Sequence, residues 1–423
     1  MAANSSNGDG AITVLAVGDV FLDRPEPAGA FEGVRDVLAA GDVVLGNCEG
    51  AYADEWERAP SSIGPVVAGT GPPQAIADAG FTVMALANNH ILDAGHSAML
   101  GTRDAFRAAG VATAGAGENI ADARVPALLE VRGRTVAVLA YSAVFPHGYD
   151  ARGEVAGLVP LRAHNLFTPW EPNDWNPGLL PRVTTVPHVP DHMALAEDVA
   201  GAAERADVVI VTVHWGDFSR PIVLTDHERR AARAAIDAGA HAVLGHHHHV
   251  LRGVEEHGGS PIFYGLGHFA FDLPNFEQRA MAEGLLAEAA DPDWLRGILR
   301  RFGDFRLGTR EGYPLLPFHP DARMTGIAVL RFHADAPVET GIVPCIIDPD
   351  NCPRPVDPGS PEGQQVVDYL NRCCGEEFLQ ASFESRGMTV GPAAALTVTL
   401  GEPVDEGAAA ADAAPGPPVP QPD

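Results

Sequence analysis

The sequence predicts an α/β domain, on three observations. Short runs of Val, Ile and Leu alternate with Ala-rich helical stretches between residues 12 and 244. The runs are continuously apolar, as expected of strands buried on both faces. Residues able to bind a metal follow several of these strands, and α/β folds collect their sites at the carboxyl ends of strands.

In chain order, Ile12–Val17 reads as a strand followed by Gly-Asp, 31–40 as a helix, and Val43–Leu45 as a strand followed by Gly-Asn-Cys-Glu. Residues 73–79 read as a helix and Val83–Leu86 as a strand leading to Asn-Asn-His. Helix 97–109, strand Val136–Ala140, helix 193–205 and strand Val208–Val213 follow, the last running into His-Trp-Gly. Helix 226–238 and strand Ala242–Leu244 close the alternation, before Gly and four consecutive histidines. Residues 145–192 interrupt it. They are Pro-rich, carry Phe167, Trp170 and Trp175, and read as an irregular insertion, either a substrate-covering loop or a surface excursion. A second irregular stretch runs from Asp272 to about 320, and Met324–Phe332 reads as a late strand. The expected organisation is a disordered leader (1–10), a main domain (11–335), a C-terminal extension packed on it (336–400) and a disordered Pro/Ala-rich tail (401–423).

With 28 Lys+Arg against 56 Asp+Glu, the chain carries a formal net charge of −28. That excess argues against a nucleic-acid or anionic-membrane binder, which needs clustered cations. The first ten residues lack the basic and apolar regions of a signal peptide, and no apolar run approaches the ~20 residues needed to cross a bilayer. A cytoplasmic protein is expected. Five Cys without a C-x-x-C pair suit reduced thiols rather than a zinc ribbon, with Cys345–Cys352 the one disulfide left open.

The metal-capable residues after strands are Asp19, Asn47 and Glu49, Asn88–His90 with Asp93, His214, and His246–His249. Singly, each has an ordinary structural use: an Asp caps a helix or turn, an Asn holds a left-handed turn. Together, carboxylate, amide and imidazole without thiolate suit a divalent cation. In an extended segment residues two apart share a face, so either His247 with His249 or His246 with His248 faces the ion; spacing alone leaves both open.

GDVFLD (18–23), GNCEG (46–50), LANNHILDAG (86–95), AGAGEN (114–119), VTVHWGDF (211–218), GHHHHVLRGVE (245–255) and IFYGLGHFAFD (262–272) resemble, in order, the motifs of CapA-like proteins. These are the poly-γ-glutamate synthesis CapA/PgsA relatives within the metallo-dependent phosphatase superfamily. The resemblance spans about 11–335. It implies a four-layer α/β/β/α sandwich with one or two divalent metals at the loop ends, Mn first among Mg, Zn, Fe, Ca and Co. It implies Asp19, Glu49, Asn89, His214, His247 and His249 as metal ligands and His90 as proton donor. The superfamily's Asp-x-His is Asp19-Val20-Phe21 here, and the family's Ser-Leu-Gly-Asn-Phe is Gly265-Leu266-Gly267-His268-Phe269. His268 thereby joins His90 as a candidate acid or base, with Asp23 a third.

Such a centre can deliver hydroxide to a phosphoryl group, or bind a carboxylate and acidify the adjacent Cα–H. Within the family the chain looks most like the soluble lasso-peptide epimerases. That implies inversion of a Cα, of a C-terminal residue such as tryptophan, in a ribosomal precursor peptide, with Phe167, Trp170 and Trp175 available to receive an indole. The alternatives are a phosphoesterase and a CapA-type factor in capsule synthesis. The expected partner is the precursor peptide, with no nucleic acid and no membrane.

Overall fold

A computed structural model of the chain describes residues 10–62, 64–169, 179–276, 278–279, 311–315, 318–334 and 336–401. Two large sheets dominate. The first has, in order, Ser382–Val390, Ala393–Thr399, Glu339–Ile347, Met324–Phe332, Ile12–Phe21, Val43–Cys48, Val83–Ala85 and Ala112–Ala114, with His268–Phe271 added beside Ile12–Phe21 and Pro353–Pro355 beside Glu339–Ile347. The second has Val254–His257, Ser260–Phe263, Ala242–His246, Val208–His214, Arg134–Ser142 and Ala127–Val131.

Alternating side chains sort the second sheet's faces. Val136, Val138, Ala140, Val208 and Ile210 join the large core shared with the first sheet. Ala137, Leu139, Tyr141, Val209 and Val211 instead meet Leu195 and Val199 of helix Val189–Ala203 and Ala232 of helix Asp226–Asp237. Helices Gly95–Ala108 and Pro361–Glu376 lie against the first sheet. Both faces of each sheet are therefore covered, which is why the strands are continuously apolar. The result is the four-layer α/β/β/α sandwich.

Several elements differ from the sequence reading. The first strand does not stop at Val17. It runs to Phe21 by changing partner: Ile12–Ala16 pairs antiparallel with Met324–Phe332, and Asp19–Phe21 pairs parallel with His268–Phe271. The stretch read as one helix over 31–40 is a 3-10 segment, Pro27–Val34, followed by the short helix Arg35–Leu38. The helix expected from 193 begins at Val189, where Pro190 in its first turn has no N–H to leave unsatisfied. Within the insertion, Ala163–Thr168 and Arg182–Pro187 form a hairpin, and Phe167 on it is exposed. Trp170 and Trp175 lie outside the described residues, as does much of the stretch after Asp272. Residues 339–347, 382–390 and 393–399 extend the first sheet. All five cysteines are free, Cys345 and Cys352 included. Among the described residues no helix is long and apolar enough to cross a membrane.

Candidate metal centre

The two sheets bring the carboxyl ends of their parallel strands together. Val43–Cys48 and His268–Phe271 flank Ile12–Phe21, so Asn47 and His268 stand opposite Asp19. Val208–His214 and Ala242–His246 are parallel neighbours with His214 opposite His246. Glu49 follows one strand directly, and Asn88–His90 follow Val83–Ala85 after two residues. The close approach of backbones needs glycine at one point: a Cβ on Gly18 would come within 1.9 Å of the Gly267 carbonyl oxygen. Asp19 N donates to that oxygen at 2.9 Å, which fixes where its carboxylate points from.

Six donor side chains form two groups. In one, donor atoms of Asp19, His249 and His268 lie within 4.8 Å of one another; in the other, those of Glu49, His214 and His247 do. His249 Nδ1 is 3.3 Å from Asp19 Oδ2 and 2.6 Å from His268 Nε2. His214 Nε2 is 3.0 Å from His247 Nδ1, 2.6 Å from Asn89 Oδ1 and 3.4 Å from Glu49 Oε1. Glu49 Oε2 lies 3.7 Å from His249 Nδ1, so its carboxylate stands between the groups.

This packing is costly without a cation. Asp19 Oδ2 and both oxygens of Glu49 are buried, and no hydrogen bond reaches them among the described residues. A buried carboxylate without a partner costs several kcal/mol. Burial, and then the neighbouring Asp19 carboxylate, push the Glu49 carboxyl well above its ordinary range. Burial opposes ionisation of Asp19 too, but the His249 imidazole beside it, then His246 and His268, outweigh this and hold its pKa low. Burial, with the crowding of other imidazoles, drives His214, His247 and His268 well below their usual range. Burial thus favours the neutral imidazole, the form that binds metal. The convergence of orphaned carboxylate oxygens, an amide oxygen and neutral imidazoles fits a divalent metal site.

The four histidines divide as His247 and His249 against His246 and His248, though not by strand alternation. The strand ends at His246, and His247 (φ 91°) and His249 (φ 59°) adopt the left-handed region, unusual for any residue but glycine. His248 turns the other way, its Nε2 2.9 Å from Glu228 Oε1 in the core. His246 Nδ1 lies 3.6 Å from Asp19 Oδ1, and burial lowers its pKa to about 4. Glu228 is held by the capping box of helix Asp226–Asp237, accepting from Thr225 N (2.7 Å) and Thr225 Oγ1 (2.6 Å). Thr225-Asp226-His227-Glu228 has the Thr-x-x-Glu pattern of such a box, and nothing in that pattern points to His248.

His90 stands apart from both groups. Its Nδ1 is 2.7 Å from Asp93 Oδ2, and its side chain is 18% exposed. Asp93 is buried and anchored by Ser62 Oγ and Tyr149 OH (both 2.8 Å) and Val66 N (2.9 Å). A carboxylate so held fixes the ring by Nδ1 and leaves Nε2 to exchange a proton. His90 is near enough to His214, His247 and His249 that its charge would depress their pKa values. Asp23 is half-buried outside both groups, its Oδ2 3.4 Å from Arg279 Nη1 and its backbone N bonded to Asp272.

A four-layer α/β/β/α sandwich with oxygen and imidazole donors gathered at its strand ends defines an α/β protein with a candidate divalent-metal centre. The chain belongs to the family described as bacterial capsule synthesis protein PGA_cap, which matches residues 13–273. It is 31% identical over 201 residues to the PGA biosynthesis protein CapA of Bacillus subtilis, covering 47% of this chain and 45% of that protein. It is 33% identical over 201 residues to the capsule biosynthesis protein CapA of Bacillus anthracis, covering 47% and 42%. A probable polyglutamine synthesis accessory protein of Mycobacterium tuberculosis is 32% identical over 189 residues, covering 44% of each chain. The chain thus spans less than half the length of these curated relatives. The calcineurin-like phosphoesterase YfkN of Bacillus subtilis is similar in structure at 13% identity, with a TM-score of 0.34 over 86% of this chain and 97% of that one.

Proposed function

We propose that this protein is a metal-dependent enzyme that moves a proton at the Cα beside a carboxylate, epimerising the end of a peptide. The observation that carries the reading is the separation of labour in the site. One imidazole, His90, is partly exposed, outside the donor groups and braced by a buried Asp93. The others are buried among the donors.

Asp19, His249 and Glu49 would hold one divalent cation, and Glu49, Asn89, His214 and His247 a second. Such cations supply charge stabilisation to a bound carboxylate or phosphoryl oxygen. The chain's own residues do the rest. Asp93 fixes the His90 ring, and His90 Nε2 gives or takes the proton. Asp23, whose carboxyl burial pushes up, is the candidate for the opposite face. Phe167 on the exposed hairpin is available to an aromatic side chain.

The experiment is deuterium uptake. Peptides ending in tryptophan with a free carboxylate are incubated in D2O with the protein and Mn2+, and the Cα is read by mass spectrometry. Deuterium entry that ceases in His90→Ala is expected; intact peptide with no label, at any divalent metal, overturns the epimerase. A second reading, phosphoester hydrolysis, is favoured by Glu49 standing between two donor groups, an arrangement suited to clamping a phosphoryl group. Metal-dependent turnover of p-nitrophenyl phosphate would select it. The names of the relatives support a third role, as an accessory factor in the synthesis of a glutamate polymer, whose backbone carries carboxylates of the same kind.

A further inference from the structure

The Asp19 side of the centre draws one carboxylate from its own strand and no second donor. The register of Ile12–Phe21 shifts between Asp19 and Val20, and the strand's last residue is Phe21. That side chain is fully buried and stacked on Tyr52, with ring centroids 5.4 Å apart. It offers nothing to a cation.

The neighbouring strand supplies what Phe21 lacks. His268 sits in parallel register opposite Asp19, where both side chains leave the same face. Its Nε2 lies 2.6 Å from His249 Nδ1, and both belong with Asp19 to one compact donor group. A neutral imidazole has one N–H to give, and His268 Nδ1 meets no acceptor among the described residues. The ring is fully buried, stacked on Phe271 at 4.9 Å and 1° and met edge-on by Phe318 at 4.6 Å. A ring pinned between phenyl groups cannot swing toward a substrate, but it is well placed to ligate.

We propose that His268 is a metal ligand on the Asp19 side, completing from the adjacent strand a donor set that its own strand leaves short. The assignment rests on the metal-centre reading. It removes His268 from the candidate acids and bases and leaves His90 and Asp23.

The test counts metal. Metal-free parent and His268→Asn are titrated with Mn2+ by calorimetry, and the loaded samples are examined by electron paramagnetic resonance. The parent is expected to bind two spin-coupled Mn2+. His268→Asn should bind one of them at least about 100-fold more weakly, beyond what loss of an outer hydrogen bond to a ligand costs, and show an uncoupled signal. His268→Asn that keeps both ions at parental affinity overturns the proposal. A parent that binds no Mn2+ overturns the metal-centre reading beneath it. If His268→Asn does not fold, crystals of the unaltered protein loaded with Zn2+ decide. Zinc at the bonding distance of about 2.1 Å from a His268 nitrogen supports the proposal, and a water in that place overturns it.

Discussion

The strand ends of the two sheets contribute different chemistry to one centre. The first sheet and its loops bring oxygen: Asp19, Glu49 and Asn89, together with the His90–Asp93 pair. The second sheet brings nitrogen: His214 at the end of one strand, and His247 and His249 just beyond the end of its neighbour. His268 is the exception, a nitrogen donor on the oxygen side. Neither sheet holds a complete donor group, so the centre exists only when the two are docked. The two sides are also supported differently. The oxygen side is held by strand pairing, by Asp19 N on Gly267 O, and by two amides, Asn47 Nδ2 donating to Asp19 Oδ1 (2.8 Å) and Asn88 Nδ2 to Cys48 O (2.6 Å). The nitrogen side is held by buried side chains, through His248, Glu228 and Thr225.

The strongest way to break this picture is to remove the cation. Chelation should abolish activity and lower the melting temperature, because carboxylates and imidazoles from both sheets then face one another unscreened. Restoring Mn2+ at 100 times its dissociation constant should return about 2.7 kcal/mol for each site filled, read by thermal melts with and without metal. Unchanged activity and stability after verified stripping would separate the sheets' docking from the donors altogether.

Next in size is a substitution that leaves both donor groups alone. His90→Ala should lower turnover by about 10²–10⁴-fold, the usual contribution of a general acid or base, with metal content unchanged. Loss of metal along with activity would place His90 among the ligands instead. Glu228→Ala tests the nitrogen side. It strands His248 in the core and frees the loop that carries His247 and His249 in left-handed backbone. Metal affinity should fall about 10–100-fold, as for other residues that orient ligands, measured by calorimetry. The matching test of the oxygen side is Gly18→Ala. The new Cβ would meet Gly267 O, so the strand carrying His268 must shift. A destabilisation of about 1–3 kcal/mol in urea is expected, together with weaker metal binding.

What the sequence revealed follows from the same division. Asp19, Glu49, Asn89, His214, His247 and His249 stood out as candidates because each falls at or just after a strand and the motifs repeat a known order, and the structure brings their side chains together. The exchange of partners at Gly18 was not legible. It depends on strands Met324–Phe332 and His268–Phe271, some 250 or more residues away in the chain, and nothing local distinguishes a strand that ends from one that changes neighbours. The position of His268 is a consequence of that exchange, so sequence offered it only as a titratable residue. Spacing left His246/His248 and His247/His249 both open, and family resemblance alone favoured the second pair. Alternation assumes extended chain, and here the chain bends at His247.

The smallest expected effect separates support of the nitrogen side from ordinary helix capping. Thr225 caps helix Asp226–Asp237, and its hydroxyl also meets Glu228 Oε2 at 2.6 Å. Thr225→Ala removes both contacts and should cost about 1 kcal/mol, the usual value of a lost cap. Glu228 Oε2 still accepts from residue 225's backbone N–H, at 2.7 Å, and Oε1 still meets His248. Metal affinity should therefore stay near the parent's while stability falls. A drop in metal affinity as large as that of Glu228→Ala would mean that the hydroxyl, rather than the backbone, orients the carboxylate, and that the helix cap itself belongs to the metal centre's support.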